Sequence, residues 1–173
     1  MKRALALVVL TFAISLIAAA CGSGDDGGNK KFAIAGIPDQ NSDKLARRYK
    51  ALTEYLSDEL GVEVEFVPTV DYAATVIGFK QGDIQMAWFG GLTGVQARLA
   101  VPGSEAIAQR PRDAEFHSKF IVGTGVDGRT LEDLEGLTFT FGSESSTSGH
   151  LMPRFFMKQI GLDPDVDFKE LPN

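Results

Sequence analysis

The sequence is poor in the residues that build covalent frameworks and metal centres. Cys21 is its single cysteine, so no disulfide can form within the chain. The two histidines, His117 and His150, have neither a second histidine nor a partner carboxylate at metal spacing, and both read as surface or supporting residues. Positive charge is scarce too. With 17 Lys and Arg against 23 Asp and Glu, the formal net charge is −6. Nucleic acid is thereby excluded as a partner, because phosphate backbones need a basic face. Internal repeats are absent, as is low complexity outside Gly22–Asn29. No apolar run reaches the roughly 20 residues that an ordinary spanning helix needs.

What is present is the composition of a globular α/β protein, 44% hydrophobic and 23% charged, behind a distinct leader. Met1-Lys2-Arg3 is a basic start, Ala4 to Ala18 is apolar, and small residues lead to Cys21, so residues 1–20 read as a secretory signal. Ile17-Ala18-Ala19-Ala20-Cys21 looks like a bacterial lipobox, with Ala18 where Leu is more usual. That likeness implies cleavage before Cys21 and a lipid on its thiol, against the plainer reading of a signal peptide with an incidental cysteine. Residues 21–30 then form a flexible tether. Subtracting Lys2 and Arg3 from the 17 basic residues leaves 15 against 23 acidic ones, a net −8 for the mature part. A chain so charged attracts an anion only through local dipoles.

Apolar periodicity predicts a strand at Phe32–Ile37, a helix at Asp43–Leu60 stopped by Gly61, a strand at Val62–Val67, and a helix at Asp71–Lys80 capped by Asp71 or Thr69. A strand at Ile84–Trp88, buried on both faces, and a helix from Gly90-Gly91 to about Leu99 follow. Further strands are expected at Ala106–Ala108, Ser118–Thr124, Thr138–Phe141 and near Phe168. Arg110–Glu115 reads as a polar loop, Gly123-Thr124-Gly125 as a hinge, Thr130–Gly136 as a short helix and Leu151–Ile160 as another. The alternation points to a mostly parallel sheet with helices on both faces. The chain divides into residues 31–122, a complete α/β lobe, and 123–173, part of a second.

The run Gly142-Ser143-Glu144-Ser145-Ser146-Thr147-Ser148-Gly149 lies where a strand passes into a helix N-terminus, a place with outward amides and a positive dipole end. Its hydroxyls serve either as anion donors or as simple helix caps. Tyr72 and Gly90 follow strand ends, where open α/β sheets take ligands, although Tyr72 also fits a helix surface. Phe89 and Trp88 read as core, ligand-facing or both. A phosphate loop of the G-x-x-x-x-G-K-[ST] type fails because no Lys follows Gly149. Ser148-Gly149-His150 is no nucleophile–base pair, and a G-x-S-x-G elbow is missing, so no catalytic residue is assigned.

Val70-Asp71-Tyr72-Ala73-Ala74, Gly82-Asp83-Ile84-Gln85-Met86-Ala87-Trp88-Phe89-Gly90 and Phe141-Gly142 with Ser145-Ser146-Thr147-Ser148-Gly149 and Pro153 resemble the phosphonate/phosphite solute-binding proteins of ABC importers. Ile37-Pro38-Asp39-Gln40-Asn41 and Trp88 to Arg98 look more like a subgroup named for selenate binding. The resemblance implies a type II periplasmic-binding fold, two α/β lobes closing on an oxyanion about a hinge. It also implies a chain continuing beyond Asn173, so that the second lobe here is incomplete. Residue by residue, it assigns ligand contact to Tyr72, Phe89, Gly90, Ser146, Thr147 and Ser148, and then to Gln40, Asn41 and Gly149. Phe89 stands where phosphonate binders more usually carry Tyr, which removes one donor. Phosphonate, phosphite, phosphate and selenate all stay open as ligands. The implied partners are a permease and its ATPase, with the membrane reached through the lipid on Cys21, on the outer side of the cytoplasmic membrane or in the periplasm. A monomer without cofactor or metal is expected. A sensor or other binding lipoprotein of the same fold, without transport, is the alternative reading.

Overall fold

The computed structural model describes residues 31–169. The leader, the tether with Cys21, and residues 170–173 lie outside the described residues. Three parallel strands, β1 (Phe32–Gly36), β2 (Val64–Phe66) and β3 (Met86–Trp88), form a sheet in the order β2-β1-β3. Ile34 is the central residue, opposite Phe66 on one side and Met86 on the other.

Helix α1 (Ser42–Leu60) joins β1 to β2, and its ends follow from its sequence. The Asn41 Oδ1 accepts the Lys44 N–H at 2.9 Å, and Gly61 takes a left-handed φ of +65°, which releases the chain. Helix α2 (Tyr72–Gln81) begins at Asp71, whose Oδ1 accepts the Ala74 N–H at 2.6 Å. Thr69, the other cap candidate, instead hydrogen-bonds the buried Thr75 hydroxyl. Helix α3 (Gly91–Ala100) follows β3 and packs against α2. Right-handed crossovers in this strand order put α1 on one face of the sheet and α2 on the other.

The first core lies between α1 and the sheet: Leu45 and Tyr49 pack on Ile34 and Val64, with Phe66, Met86 and Trp88 at its margin. Tyr49 stacks on Phe66 with ring centres 4.4 Å apart. It also lies over Gly36, where a Cβ would sit 2.8 Å from the Tyr49 Cζ. A second core is built from Leu134, Met157 and Leu162, with Phe139, Phe141 and Phe168 against it. Met157 belongs to helix α4 (Met152–Gln159), which carries Pro153 in its first turn and ends before Gly161 at φ +86°.

Several expected strands do not form. Ala106–Ala108 is irregular and exposed, with Ile107 78% accessible. Ser118–Thr124 and the segment at Phe168 are irregular as well, and Thr138–Phe141 keeps only a single bridge at Thr138. Alternating apolar residues show that a segment suits a pleated, half-buried surface, but strand formation needs a neighbour to pair with. Between Leu137 and Lys169 the pairing stops at isolated contacts, with the Lys169 N–H on the Leu137 carbonyl at 3.0 Å, and no ladder is described for Ala106–Ala108 or Ser118–Thr124. Phe120 and Val122 instead line a cavity of about 230 Å³ with Leu134, Leu137 and Phe139. The β3 residues are half-buried rather than buried on both faces. Arg110–Glu115, read as a loop, contains a 3₁₀ turn at Pro111–Glu115, and the short helix at Thr130–Gly136 shrinks to a 3₁₀ turn at Glu132–Leu134.

Candidate functional site

In the order β2-β1-β3 the chain leaves β1 and β3 in opposite directions, and the C-terminal ends of such a strand pair are where open parallel sheets take ligands in a crevice; α3 packs against α2 beside it. Gly90 sits in it, and a Cβ there would lie 3.4 Å from the Ile37 Cδ1. Tyr72, at the start of α2, reaches the same end of the sheet from β2.

The hydroxyl run meets this crevice from the far side. Residues Thr147–Leu151 form a wide π-type turn leading into α4, and Ser146 caps it by accepting the Gly149 N–H at 3.0 Å. Ser146 is 8% exposed, and its side chain also hydrogen-bonds the Tyr72 hydroxyl. Burial pushes the Tyr72 phenol up from its ordinary range, the Ser146 bond opposes this, and the nearby Asp39 charge adds to it. The phenol therefore stays a neutral O–H, able to donate. Thr147 Oγ1 accepts the Leu92 N–H at 2.6 Å, across 55 residues of sequence. The Ser148 carbonyl accepts the Ser118 hydroxyl at 2.7 Å.

Gly149 and Gly142 make the turn possible by close approach. The Gly142 N–H donates to the Gly149 carbonyl at 2.8 Å, and a Cβ on Gly149 would meet the Ser146 Oγ at 3.0 Å. The structure thus gathers Tyr72, Gly90, Ser146, Thr147 and Gly149 about the start of α3 and the turn before α4. Three other candidates are placed differently. The Phe89 ring packs edge-on against Phe79 at 5.5 Å. Asn41 is engaged as the α1 cap, and Gln40 hydrogen-bonds its neighbours, taking the Lys44 Nζ at 2.6 Å and giving its amide to the Asp39 carbonyl.

Residues 34–172 match the family described as "ABC transporter, phosphonate, periplasmic substrate-binding protein". The chain belongs to this family. It is 45% identical over 140 residues to the Prochlorococcus marinus (strain MIT 9301) protein named "Probable ABC transporter phosphite binding protein PhnD1", covering 78% of this chain and 47% of that one. It is 30% identical over 161 residues to the "Phosphate-import protein PhnD" of Mycolicibacterium smegmatis, covering 86% of this chain and 50% of the relative. A solved structure of PhnD1 from Prochlorococcus marinus, in complex with methylphosphonate, superposes with a TM-score of 0.69 at 41% identity, over 82% of this chain and 54% of that one. The chain therefore spans about half the length of the curated relatives it matches. The fold is the α/β periplasmic-binding fold of this family, present as one parallel sheet and part of a second core.

Beside the crevice stands a cluster that the sequence reading missed. Arg110 lies 5.0 Å over the Trp88 ring and pairs with Asp113 through Nε–Oδ2 and Nη2–Oδ1 contacts of 2.8 Å each. The pairing holds the Asp113 carboxyl below its usual range and raises Arg110, to which the Asp39 charge also contributes. The i, i+3 spacing of opposite charges was the available signal. Of the histidines, His117 is exposed, and His150 packs on Phe141 with its Nδ1 at 3.3 Å from the Gly142 carbonyl. Among the described residues no three His, Cys, Asp or Glu are grouped to hold a metal. No described helix is long and apolar enough to cross a membrane.

Proposed function

We propose that the chain is the substrate-binding component of an ABC importer and captures a small tetrahedral oxyanion of the phosphonate/phosphite class. The observation that carries this is the convergence of Tyr72, Ser146 and Thr147 at the N-terminus of α3 in a chain of this family. A helix start with outward amides favours negative charge, and hydroxyls add donors without adding charge. The relatives named for phosphite and phosphate, and the methylphosphonate complex of PhnD1, support this ligand class. In this reading Tyr72, Phe89 and Gly90 approach the anion from residues 31–122, and Ser146, Thr147 and Ser148 from residues 123–173. Gln40, Asn41 and Gly149 support the rim. Closure of the two parts on the anion presents it to a permease driven by an ATPase, and no chemical step is involved. A lipid on Cys21 would hold the monomeric protein outside the cytoplasmic membrane, with residues 21–30 as tether.

Calorimetric titration with methylphosphonate, phosphite, phosphate, sulfate and selenate tests the reading. It should be run on this chain and on the same chain joined to the remaining half of the Prochlorococcus relative. Ser146→Ala with Thr147→Ala removes two hydroxyl contacts to a charged ligand, each worth about 1.5–3 kcal/mol, so affinity should fall at least about a hundredfold. Binding of none of the anions by either chain refutes the proposal, and unchanged binding by the double variant refutes the site.

A further inference from the structure

The charges of α1 are sorted along its length in an order that the helix itself does not favour. Its four basic residues, Lys44, Arg47, Arg48 and Lys50, all precede Ala51, and three of its four acidic residues, Glu54, Asp58 and Glu59, follow it. Anions near the N-terminus and cations near the C-terminus stabilise a helix, yet no basic residue stands in the last turn of α1. The Lys50–Glu54 pair, at 3.8 Å, is exposed and runs in the weaker order, Lys before Glu. Arg47 and Arg48 are exposed, and among the described residues neither has an ion-pair partner. A chain of net charge −6 thus keeps a group of cations that its own carboxylates do not use.

Beside them lies an open depression of about 390 Å³, lined by Ala46, Arg47, Lys50, Thr53 and Phe66. Phe66 is the last residue of β2, an edge of the sheet, so the depression sits between α1 and that edge. The strands are parallel and α1 begins where β1 ends, which puts both Phe66 and the basic half of α1 at the crevice end of the sheet.

We propose that this face docks an acidic protein surface, the outer face of the permease. Carboxylates of the partner pair with Arg47 and Lys50 at the rim, and an apolar side chain enters the depression against Ala46 and Phe66. Lys44 and Arg48 add to the attracting field. The choice of the permease rests on the importer reading, whereas the sign and shape of the face do not. A partner seated there stands at the end of the sheet from which a bound anion leaves. A protein fits better than an anionic membrane surface, because Arg47, Lys50, Glu54 and Asp58 share one side of the helix, at spacings of three and four residues. Lipid headgroups would meet the two carboxylates together with the cations, while a shaped partner need touch only the basic half.

Vesicle flotation tests the face, using the full chain and the permease and ATPase of its importer reconstituted in neutral phosphatidylcholine. The parent chain should float with these vesicles, and Arg47→Glu with Lys50→Glu should weaken the association about tenfold or more. Lys80→Glu with Arg98→Glu makes the same change in net charge near the C-terminal ends of α2 and α3, away from the crevice end, and should alter it less than about twofold. All four side chains are exposed, so both variants should fold. Equal loss in the two variants overturns the face, and so does loss of methylphosphonate binding in the first. Flotation of the parent with permease-free vesicles containing phosphatidylglycerol assigns the cations to lipid and overturns the proposal. A dimer that Arg47→Glu with Lys50→Glu dissolves, seen by sedimentation, assigns the face to a second copy and overturns it as well. Calorimetry with methylphosphonate separates docking from the functional reading. A parent chain that binds the anion but not the permease overturns docking alone. One that docks without binding any anion supports the face and overturns the oxyanion reading, and one that does neither overturns both.

Discussion

Replacing Gly36 by alanine should destabilise the first core through one overlap that can be located in advance. Gly36 ends β1 at the edge of the crevice, and its φ is not left-handed, so an alanine there meets no backbone penalty. The cost comes from Tyr49. The new Cβ would overlap its hydroxyl and lie 2.8 Å from Cζ and 3.2 Å from Cε2. The ring cannot step aside cheaply, because it is 8% exposed and stacked on Phe66. Overpacking of this kind costs about 1–3 kcal/mol. With a urea slope of about 1–3 kcal/mol per molar, the unfolding midpoint should fall by about 1 M. Trp88 is the single tryptophan and borders this core, so its fluorescence reports the transition locally. The decisive control is a cycle with Tyr49→Leu, which takes the ring away. Gly36→Ala should cost much less in that background. An equal cost in both backgrounds would show that the penalty does not come from Tyr49, and the packing argument would be wrong.

The second core should respond independently of the first. Met157 is fully buried in it, and Met157→Ala should cost about 2–5 kcal/mol in the exchange protection of α4 while leaving the Trp88 midpoint nearly unchanged; an equal shift in both would show one cooperative core. Burial, reinforced by Asp39, raises the Tyr49 phenol to about 12, so its contribution to stability is complete below the unfolded value near 10 and is lost as pH rises towards 12. Tyr49→Phe should therefore flatten the loss of stability between about pH 10 and 12 in alkaline denaturation, and a slope equal to that of the parent chain would refute the assignment.

Local chemistry was the legible part of this sequence. Asn41 and Gly61 bound α1 because a side-chain acceptor and a left-handed glycine act within four residues of themselves, and Asp71 and Gly82 bound α2 in the same way. The central sheet was legible because its strands alternate with helices at close intervals. Past Ala100 the same patterns misled. Ser118–Thr124 and Thr138–Phe141 carry strand-like residues, yet a ladder depends on a second segment, and their apolar side chains settle around a cavity instead. The site divides along the same line. Ser146 as a cap was readable three residues from Gly149. The pairing of Thr147 with Leu92 was not, since nothing near either residue names the other. Phe89 illustrates a third case: its aromatic character was plain, but only the fold shows that Phe79 takes its edge.

An acidic chain that takes an anion, as proposed, must keep its own charge from deciding the outcome, and the arrangement around the crevice does this by pairing. Arg110, whose guanidinium lies over the Trp88 ring, is held in two contacts by Asp113. Arg154 on α4 is tied to Asp165. Neither adds much uncompensated field at the crevice, while Asp39 contributes a negative one that both Tyr72 and Tyr49 feel. Attraction at a distance is therefore weak, and discrimination passes to short-range donors: the Leu92 amide and the hydroxyls of Tyr72, Ser146 and Thr147. Such bonds weaken steeply with distance and angle. In the proposed reading they hold an anion only when the segment after Phe141 meets α3 in register. The close approach at Gly142 and Gly149 shapes that segment, and the bare Gly90–Gly91 start of α3 receives it. The glycines therefore belong to the proposed recognition chemistry as fully as the hydroxyls, because a side chain on Gly91 would crowd the Thr147 hydroxyl and one on Gly149 the Ser146 hydroxyl.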